Sequence, residues 1–321
     1  MSVDISPDAE FLGIAKSNGS IIVYQQGRDQ RFYKFVHCSA NDHAVNHYYF
    51  SPDGKHILFE PANGTLQISK IEYLRERKKI IDTGQIIDFE RHLEASWFQF
   101  SKNGLLLLIS MRSKIGTGEE FVNRLYQRIE STGQYEYMLQ FSGYAFKMDF
   151  SEDNLLFICG CYPYTAHKYV RRSVDENFQK MSFAENELPQ VIYLPPGTKN
   201  AFIGTRNNEV IYYQFNEESL EHERCCALNE RFDQLVNCMM ATPNLEIMVF
   251  GSLDGMIKIG RRSNKDSENK KICYEITQRI LAEDVPTDCY ITRCGKMVIA
   301  PLNNNIISIY TKNQKGWFEQ T

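Results

Sequence analysis

Phe50-Ser51-Pro52-Asp53-Gly54-Lys55 runs into the apolar stretch His56-Ile57-Leu58-Phe59, and the same order of features returns at Phe100-Ser101-Lys102-Asn103-Gly104 and Phe150-Ser151-Glu152-Asp153-Asn154. An aromatic residue, a serine, a polar turn and an aliphatic run recurring every 50 residues form an internal repeat. A period of that size is the mark of a solenoid, a propeller or an array.

Working outward from these copies, the apolar residue before each turn extends to seven anchors: Ile5, Phe50, Phe100, Phe150, Leu194, Ala241 and Ile291. They are spaced by 45, 50, 50, 44, 47 and 50 residues, close to the span of a four-stranded propeller blade. Pro, Asp, Asn and Gly crowd the positions after each anchor, and these residues pre-set or tolerate turn dihedrals. A strand is predicted after every turn: Phe11 to Ala15, His56 to Phe59, Leu105 to Met111, Leu155 to Gly160, Ala201 to Gly204, Ile247 to Gly251 and Lys296 to Ala300. Asn18-Gly19, Asn63-Gly64 and Asp254-Gly255 then signal hairpins into third strands beginning at Ile21, Leu66 and Met256. Fourth strands follow, for example Phe32 to Val36, Tyr135 to Phe141 and Ile272 to Ile276. The expected architecture is all-β, a single seven-bladed β-propeller over 1–321, with blades at about 1–42, 43–90, 91–143, 144–184, 185–230, 231–280 and 281–321.

Across essentially the whole chain the sequence resembles the WD40 repeat family. Phe50 to Lys55 is similar to that family's first turn, and Gly251-Ser252-Leu253-Asp254-Gly255-Met256-Ile257-Lys258-Ile259 to its inner hairpin. The chain departs from the family in lacking the Trp-Asp dipeptide. Its two Trp residues, Trp97 and Trp317, are each followed by Phe, and Tyr24, Tyr213 and Tyr310 stand where the family's Trp would end the third strand. In the family a strand from before the first repeat completes the last blade. Here the chain opens inside its first unit, so Gly316 to Gln320 is the expected fourth strand of blade seven; if it is not, the chain is a fragment of something longer.

With 43% hydrophobic and 12% aromatic residues a large core is available, and 24% charged residues is ordinary for a globular protein. A net charge of -4 supplies no broad positive field for a phosphate backbone, so no nucleic-acid partner is expected. Met1 to Gly13 has neither a basic n-region nor a continuous apolar h-region, so no secretory signal is expected, and no apolar stretch reaches membrane-spanning length. The nine cysteines contain no C-x-x-C pair and read as reduced thiols of a cytoplasmic protein.

The sequence carries no G-x-S-x-G elbow, no H-E-x-x-H and no phosphate-binding G-x-x-x-x-G-K-[ST]. No catalytic residue, cofactor or metal is therefore expected. The one local group with metal-compatible side chains, His37, Cys38, His43 and His47, matches no common zinc module. The pairs Arg171-Arg172 and Arg261-Arg262 each precede a Ser; Tyr169-Val170-Arg171-Arg172-Ser173 loosely echoes the Phe-Arg-Arg-Gly motif of phosphoinositide-binding propellers, which makes Arg171 and Arg172 a lipid-binding alternative. Arg261 to Lys271 mixes both signs of charge and reads as a solvated loop.

Loop length supplies the remaining clue. Blade three is expected to insert Arg112 to Glu120 and blade four Cys161 to Ala166, so two enlarged neighbouring hairpins would crowd one sector. Binding residues concentrate on loops held by a rigid scaffold, and stiff aromatics anchor interfaces. Lys114, Glu119, Tyr144, Tyr162, Tyr164 and His167 are thus the expected partner-binding residues. The expected role is a non-catalytic platform for other proteins or peptides in a multi-subunit complex, with a ciliary, cytoskeletal or trafficking assembly suggested by analogy. A propeller hydrolase with a central-channel site is the remaining alternative.

Overall fold

The structure is a computed structural model; it describes the chain apart from residues 1, 6–10, 16–19, 28–31, 40–44, 55, 62–65, 75–76, 88–92, 114–120, 144, 162–164, 185–186, 229, 264–272, 293, 305 and 321. The described residues contain no helix and form seven four-stranded antiparallel sheets, the blades of a seven-bladed β-propeller. Each blade takes four consecutive strands in chain order.

Blade one holds β1 (Ser2–Ile5), β2 (Phe11–Ala15), β3 (Ser20–Gln26) and β4 (Phe32–Ser39). Blade two holds β5 (Val45–Phe50), β6 (His56–Pro61), β7 (Leu66–Leu74) and β8 (Arg77–Ile87), and blade three β9 (Leu93–Phe100), β10 (Leu106–Ser113), β11 (Phe121–Arg128) and β12 (Tyr135–Ser142). These belong to one compact unit, Met1–Tyr144. The second unit, Ala145–Thr321, contains four blades. They are β13 (Ala145–Phe150), β14 (Leu156–Cys161), β15 (Thr165–Val170), β16 (Gln179–Phe183); β17 (Pro189–Tyr193), β18 (Ala201–Thr205), β19 (Val210–Phe215), β20 (His222–Ala227); β21 (Val236–Ala241), β22 (Ile247–Ser252), β23 (Met256–Ser263), β24 (Cys273–Leu281); and β25 (Tyr290–Ile291), β26 (Met297–Pro301), β27 (Ile307–Lys312), β28 (Phe318–Gln320). The expected fourth strand of blade seven is present as β28, paired antiparallel with β27.

The serine of the Phe-Ser repeat is a clasp. Ser51, Ser101 and Ser151 are buried, and each Oγ accepts the N–H of the residue five further on, His56, Leu106 and Leu156, at 2.9, 2.9 and 3.0 Å. The hydroxyl donates onward to Asp53, Asn103 or Asp153 in the same turn. Thr242 and Thr292 repeat the clasp to Ile247 and Met297, both at 3.1 Å. Any residue with a hydroxyl there satisfies a main-chain donor at the point where β-pairing stops. Four residues after the anchor the chain takes the left-handed conformation, at Gly54, Gly104, Asn154, Leu245 and Gly295, which explains why Gly and Asn recur.

The second strands carry the density of the core. Every described residue of β18 and β22 is buried, because apolar side chains on both faces are covered by neighbouring blades. Core clusters accordingly join blade to blade: Leu58 and Ile68 with Leu107 and Ile109 in the first unit, Ile158 with Ile192 and Ile203, Phe202 with Met248 and Phe250, and Val249 with Val298 and Tyr310 in the second. The first strands β13, β17, β21 and β25 contact one another in succession, while the fourth strand β16 is largely exposed.

One expectation is corrected. β14 runs through Cys161, which pairs with Thr165 at the start of β15, leaving three residues between the strands. The blade-four hairpin is thus as short as the Leu253–Gly255 turn of blade six. Buried Cys161 and Ala166 extend the ladder by ordinary strand packing, so residues that sequence spacing assigned to a loop belong to the sheet. The connection at 114–120 in blade three stays long, and another long one, 264–272, separates β23 from β24.

Candidate functional site

Of the residues expected to bind a partner, Lys114, Glu119, Tyr144, Tyr162 and Tyr164 lie outside the described residues. His167 is described. It sits half-buried on β15, in register with Cys159 on one side and Ser182 on the other, and with Thr165 and Lys180 it lines a cavity of about 480 Å³. Burial, and then the Lys180 cation, hold its imidazole below the ordinary histidine value, so at neutral pH it is an uncharged hydrogen-bonding group. Below it, Cys159 and Cys161 bring their sulfurs to 3.8 Å.

The two members of the lipid-binding alternative part company. Arg171 is 2% exposed and turned inward: its Nε donates to the Asn154 carbonyl at 3.1 Å, its Nη1 to the Val174 carbonyl at 2.8 Å, and the guanidinium lies 4.4 Å from the Phe178 ring centroid. This is an internal clamp on the blade-four turn, which leaves Arg172 as the exposed member of the pair. The side chains of His37, Cys38, His43 and His47 lie outside the described residues.

A better-built surface site lies where β28 meets β23 and β24. The turn from Asn313 to Trp317 is pinned at several points. The Asn313 carboxamide oxygen accepts the N–H groups of Lys315 and Trp317 at 2.9 and 3.0 Å, its Nδ2 donates to Glu319 at 2.6 Å, and the Asn313 N–H bonds the Trp317 carbonyl at 2.8 Å. Gly316 takes φ +84°, which the turn requires, and its carbonyl accepts Arg261 Nη2 at 3.1 Å. Trp317 therefore stands 46% exposed on a fixed backbone, beside Arg261 and Lys315, above a recess of about 250 Å³ floored by Ile259 and Phe318. Gln278 holds the strand behind it with two bonds to Phe318, accepting its N–H at 2.8 Å and donating to its carbonyl at 2.6 Å.

A half-exposed tryptophan on a pinned backbone, lining one recess with Arg261 and Lys315 over an apolar floor, suits a segment that offers a carboxylate next to an apolar side chain. Trp and Arg are the residue types most often found at energetic centres of interfaces, and a backbone already held in place has less entropy to lose on binding. Sequence reading placed Trp317 in the closing strand and Arg261 in a solvated loop. The signal that unites them is the Asn313-Gln314-Lys315-Gly316 turn, but the partner strand β23 is 50 residues away in the chain and only folding brings it near.

No family model matches the chain, and neither does any curated protein. Among solved structures, Sqt1 of Saccharomyces cerevisiae is similar over 99% of this chain and 83% of its own, with a TM-score of 0.70 and 11% identity. Sqt1 of Chaetomium thermophilum, solved bound to the N-terminus of the ribosomal protein L10, is similar over 99% of this chain and 86% of its own, with a TM-score of 0.66 and 10% identity. A candidate 6-phosphogluconolactonase of Bacteroides fragilis is similar over 98% of this chain and 94% of its own, with a TM-score of 0.63 and 11% identity. At such identities the likeness is one of fold, shared by a peptide-holding propeller and by one assigned to hydrolysis, and function has to be argued from the site.

Proposed function

We propose that this chain is a non-catalytic protein-interaction platform, a subunit of a larger cytoplasmic assembly, and that the Trp317 recess is a principal contact. The observation that carries the reading is the pinned Asn313–Trp317 turn, which presents Trp317 with Arg261 and Lys315 as a preformed, locally cationic surface on a chain whose net charge is -4. The preferred occupant is an extended, acidic segment of a partner protein, since charge complementarity selects the partner while the indole and the apolar floor supply the buried area. The similarity to a propeller solved with a ribosomal-protein N-terminus bound supports a peptide as ligand. His167 and the neighbouring Tyr162 and Tyr164 form a second proposed contact, and the described cysteines, all free thiols, fit a reducing compartment.

Affinity purification of the full chain followed by mass spectrometry, run beside Trp317→Ala and Lys315→Glu variants, tests this reading. Loss of the same partner in both variants, with the fold intact, is the expected result. An identical partner set in wild type and variants removes the recess from the interface; loss only on Tyr162→Ala and Tyr164→Ala moves the contact to blade four.

A further inference from the structure

Between blades six and seven, Cys238 on β21 and the consecutive pair Asp288-Cys289, just before β25, bring two thiol sulfurs and a carboxylate oxygen within 4.8 Å of one another. We propose that these three side chains form a binding site for a zinc-class divalent cation, with the fourth coordination position open to solvent.

The side chains have the required chemistry. Thiolate and carboxylate are both zinc ligands, and bonds of about 2.3 Å to sulfur and about 2.0 Å to oxygen at tetrahedral angles place the ligand atoms roughly 3.5–3.8 Å apart, so the cluster needs to contract by about 1.3 Å at most. Both thiols are 1% exposed, whereas Asp288 is partly open to solvent, which leaves an entry path on one side. The carboxylate is already oriented: Oδ1 accepts the Cys289 N–H at 2.8 Å and Oδ2 accepts the Tyr290 hydroxyl at 2.8 Å. Each oxygen keeps a second lone pair, and outer hydrogen bonds of this kind are what ordinarily orient a ligating carboxylate.

The fold makes room for the cluster. A Cβ on Gly251 would collide with the Cys238 sulfur and come within 3.1 Å of Pro286 Cβ, so only glycine leaves this space. In blade five the corresponding position opposite Gly204 is filled by Val191, as plain apolar packing would have it. In blade six a thiol stands there instead, and the irregular backbone at 287–289 lets two consecutive side chains turn to the same point, which a regular strand forbids. No motif announces the site, because the two cysteines lie 51 residues apart.

Binding is balanced by proton release: the cation takes two thiolates, and the two thiol protons pass to solvent. The test is a Co²⁺ titration of the full chain after treatment with a chelator and a reductant, followed by displacement with Zn²⁺. We expect one equivalent of Co²⁺ with thiolate-to-cobalt absorption, release of about two protons in weak buffer, and a thermal midpoint that rises with free Zn²⁺. Cys289→Ser should abolish the absorption, and Asp288→Asn should weaken Co²⁺ binding about tenfold or more. Replacing Cys159 and Cys161 by Ser should leave the cobalt absorption and its stoichiometry unchanged. Should Cys289→Ser fail to fold, the Asp288→Asn measurement decides, because that side chain is on the solvent side. Absence of thiolate-to-cobalt absorption in the wild-type chain overturns the proposal, as does full retention of it in Cys289→Ser or undiminished Co²⁺ affinity in Asp288→Asn.

Discussion

The carboxylate of Asp149 accepts the main-chain N–H of Leu194 at 2.8 Å with one oxygen, and that of Phe150 at 2.8 Å with the other. One side chain thereby ties together the anchor residues of two consecutive blades. The next blade junction solves the same problem with different chemistry: Tyr193, which precedes Leu194 as Asp149 precedes Phe150, accepts the Ala241 N–H on its hydroxyl at 3.0 Å. At these two junctions the position before the anchor serves as a blade-to-blade acceptor.

Replacing Asp149 by Ala leaves the buried Leu194 N–H without this acceptor. The expected loss is about 1–3 kcal/mol of unfolding free energy, read from urea denaturation, with Tyr193→Phe giving a smaller loss at the next junction.

The clasp rule separates two substitutions of one residue. Ser101→Ala removes the acceptor for the Leu106 N–H and should cost about 1–3 kcal/mol. Ser101→Thr keeps the hydroxyl, as Thr242 and Thr292 do naturally, and should lie within about 1 kcal/mol of wild type. Equal effects of the two in denaturation experiments would contradict the clasp.

His222 controls an acid sensitivity. Its Nε2 donates to the Lys199 carbonyl at 2.9 Å, and burial, opposed by that bond and aided by the Lys168 cation, brings its value from 6.5 down to about 3. Between those values the unfolded chain binds one more proton than the folded chain, so stability falls as pH drops through 6.5 toward 3, by about 1.4 kcal/mol per pH unit. The denaturation midpoint should be flatter between pH 7 and 5 in His222→Gln than in wild type.

A Cβ on Gly204 would sit 2.6 Å from Val191 Cγ1 and 3.3 Å from Val236 Cβ. Gly204→Ala should destabilise by about 1–3 kcal/mol through overpacking. Adding Val191→Ala should recover part of that loss, which a double-mutant cycle detects as a non-additive pair.

Arg171→Ala removes the clamp on Asn154 and Val174 and should cost about 1.5–3 kcal/mol. Arg172→Ala should stay within about 0.5 kcal/mol. Liposome flotation with phosphoinositide should not distinguish Arg172→Ala from wild type, whereas a clear loss of binding would restore the lipid reading.

Much of the blade pattern is legible in the sequence. The anchors, the turns and the second strands follow from a period-50 pattern, because aliphatic runs bounded by turn residues have few alternative structures. Strand ends were less legible. Cys161 and Thr165 look like loop residues in sequence, yet their pairing is decided by what buries Cys161. The candidate sites were the least legible. Arg171 and Arg172 look alike in sequence, and only the turn carbonyls around Arg171 turn one inward and leave the other exposed.

By itself the sequence determined the repeat, the number of blades and a fourth strand for blade seven within Gly316 to Gln320, since local turn chemistry and hydrophobic pattern act over a few residues. Tertiary structure alone decided which distant residues meet: Asp149 with Leu194, Arg261 with the Gly316 turn, Cys238 with Asp288 and Cys289. Those pairings are made between blades, so they depend on how neighbouring sheets pack, and no pattern within a single repeat encodes them.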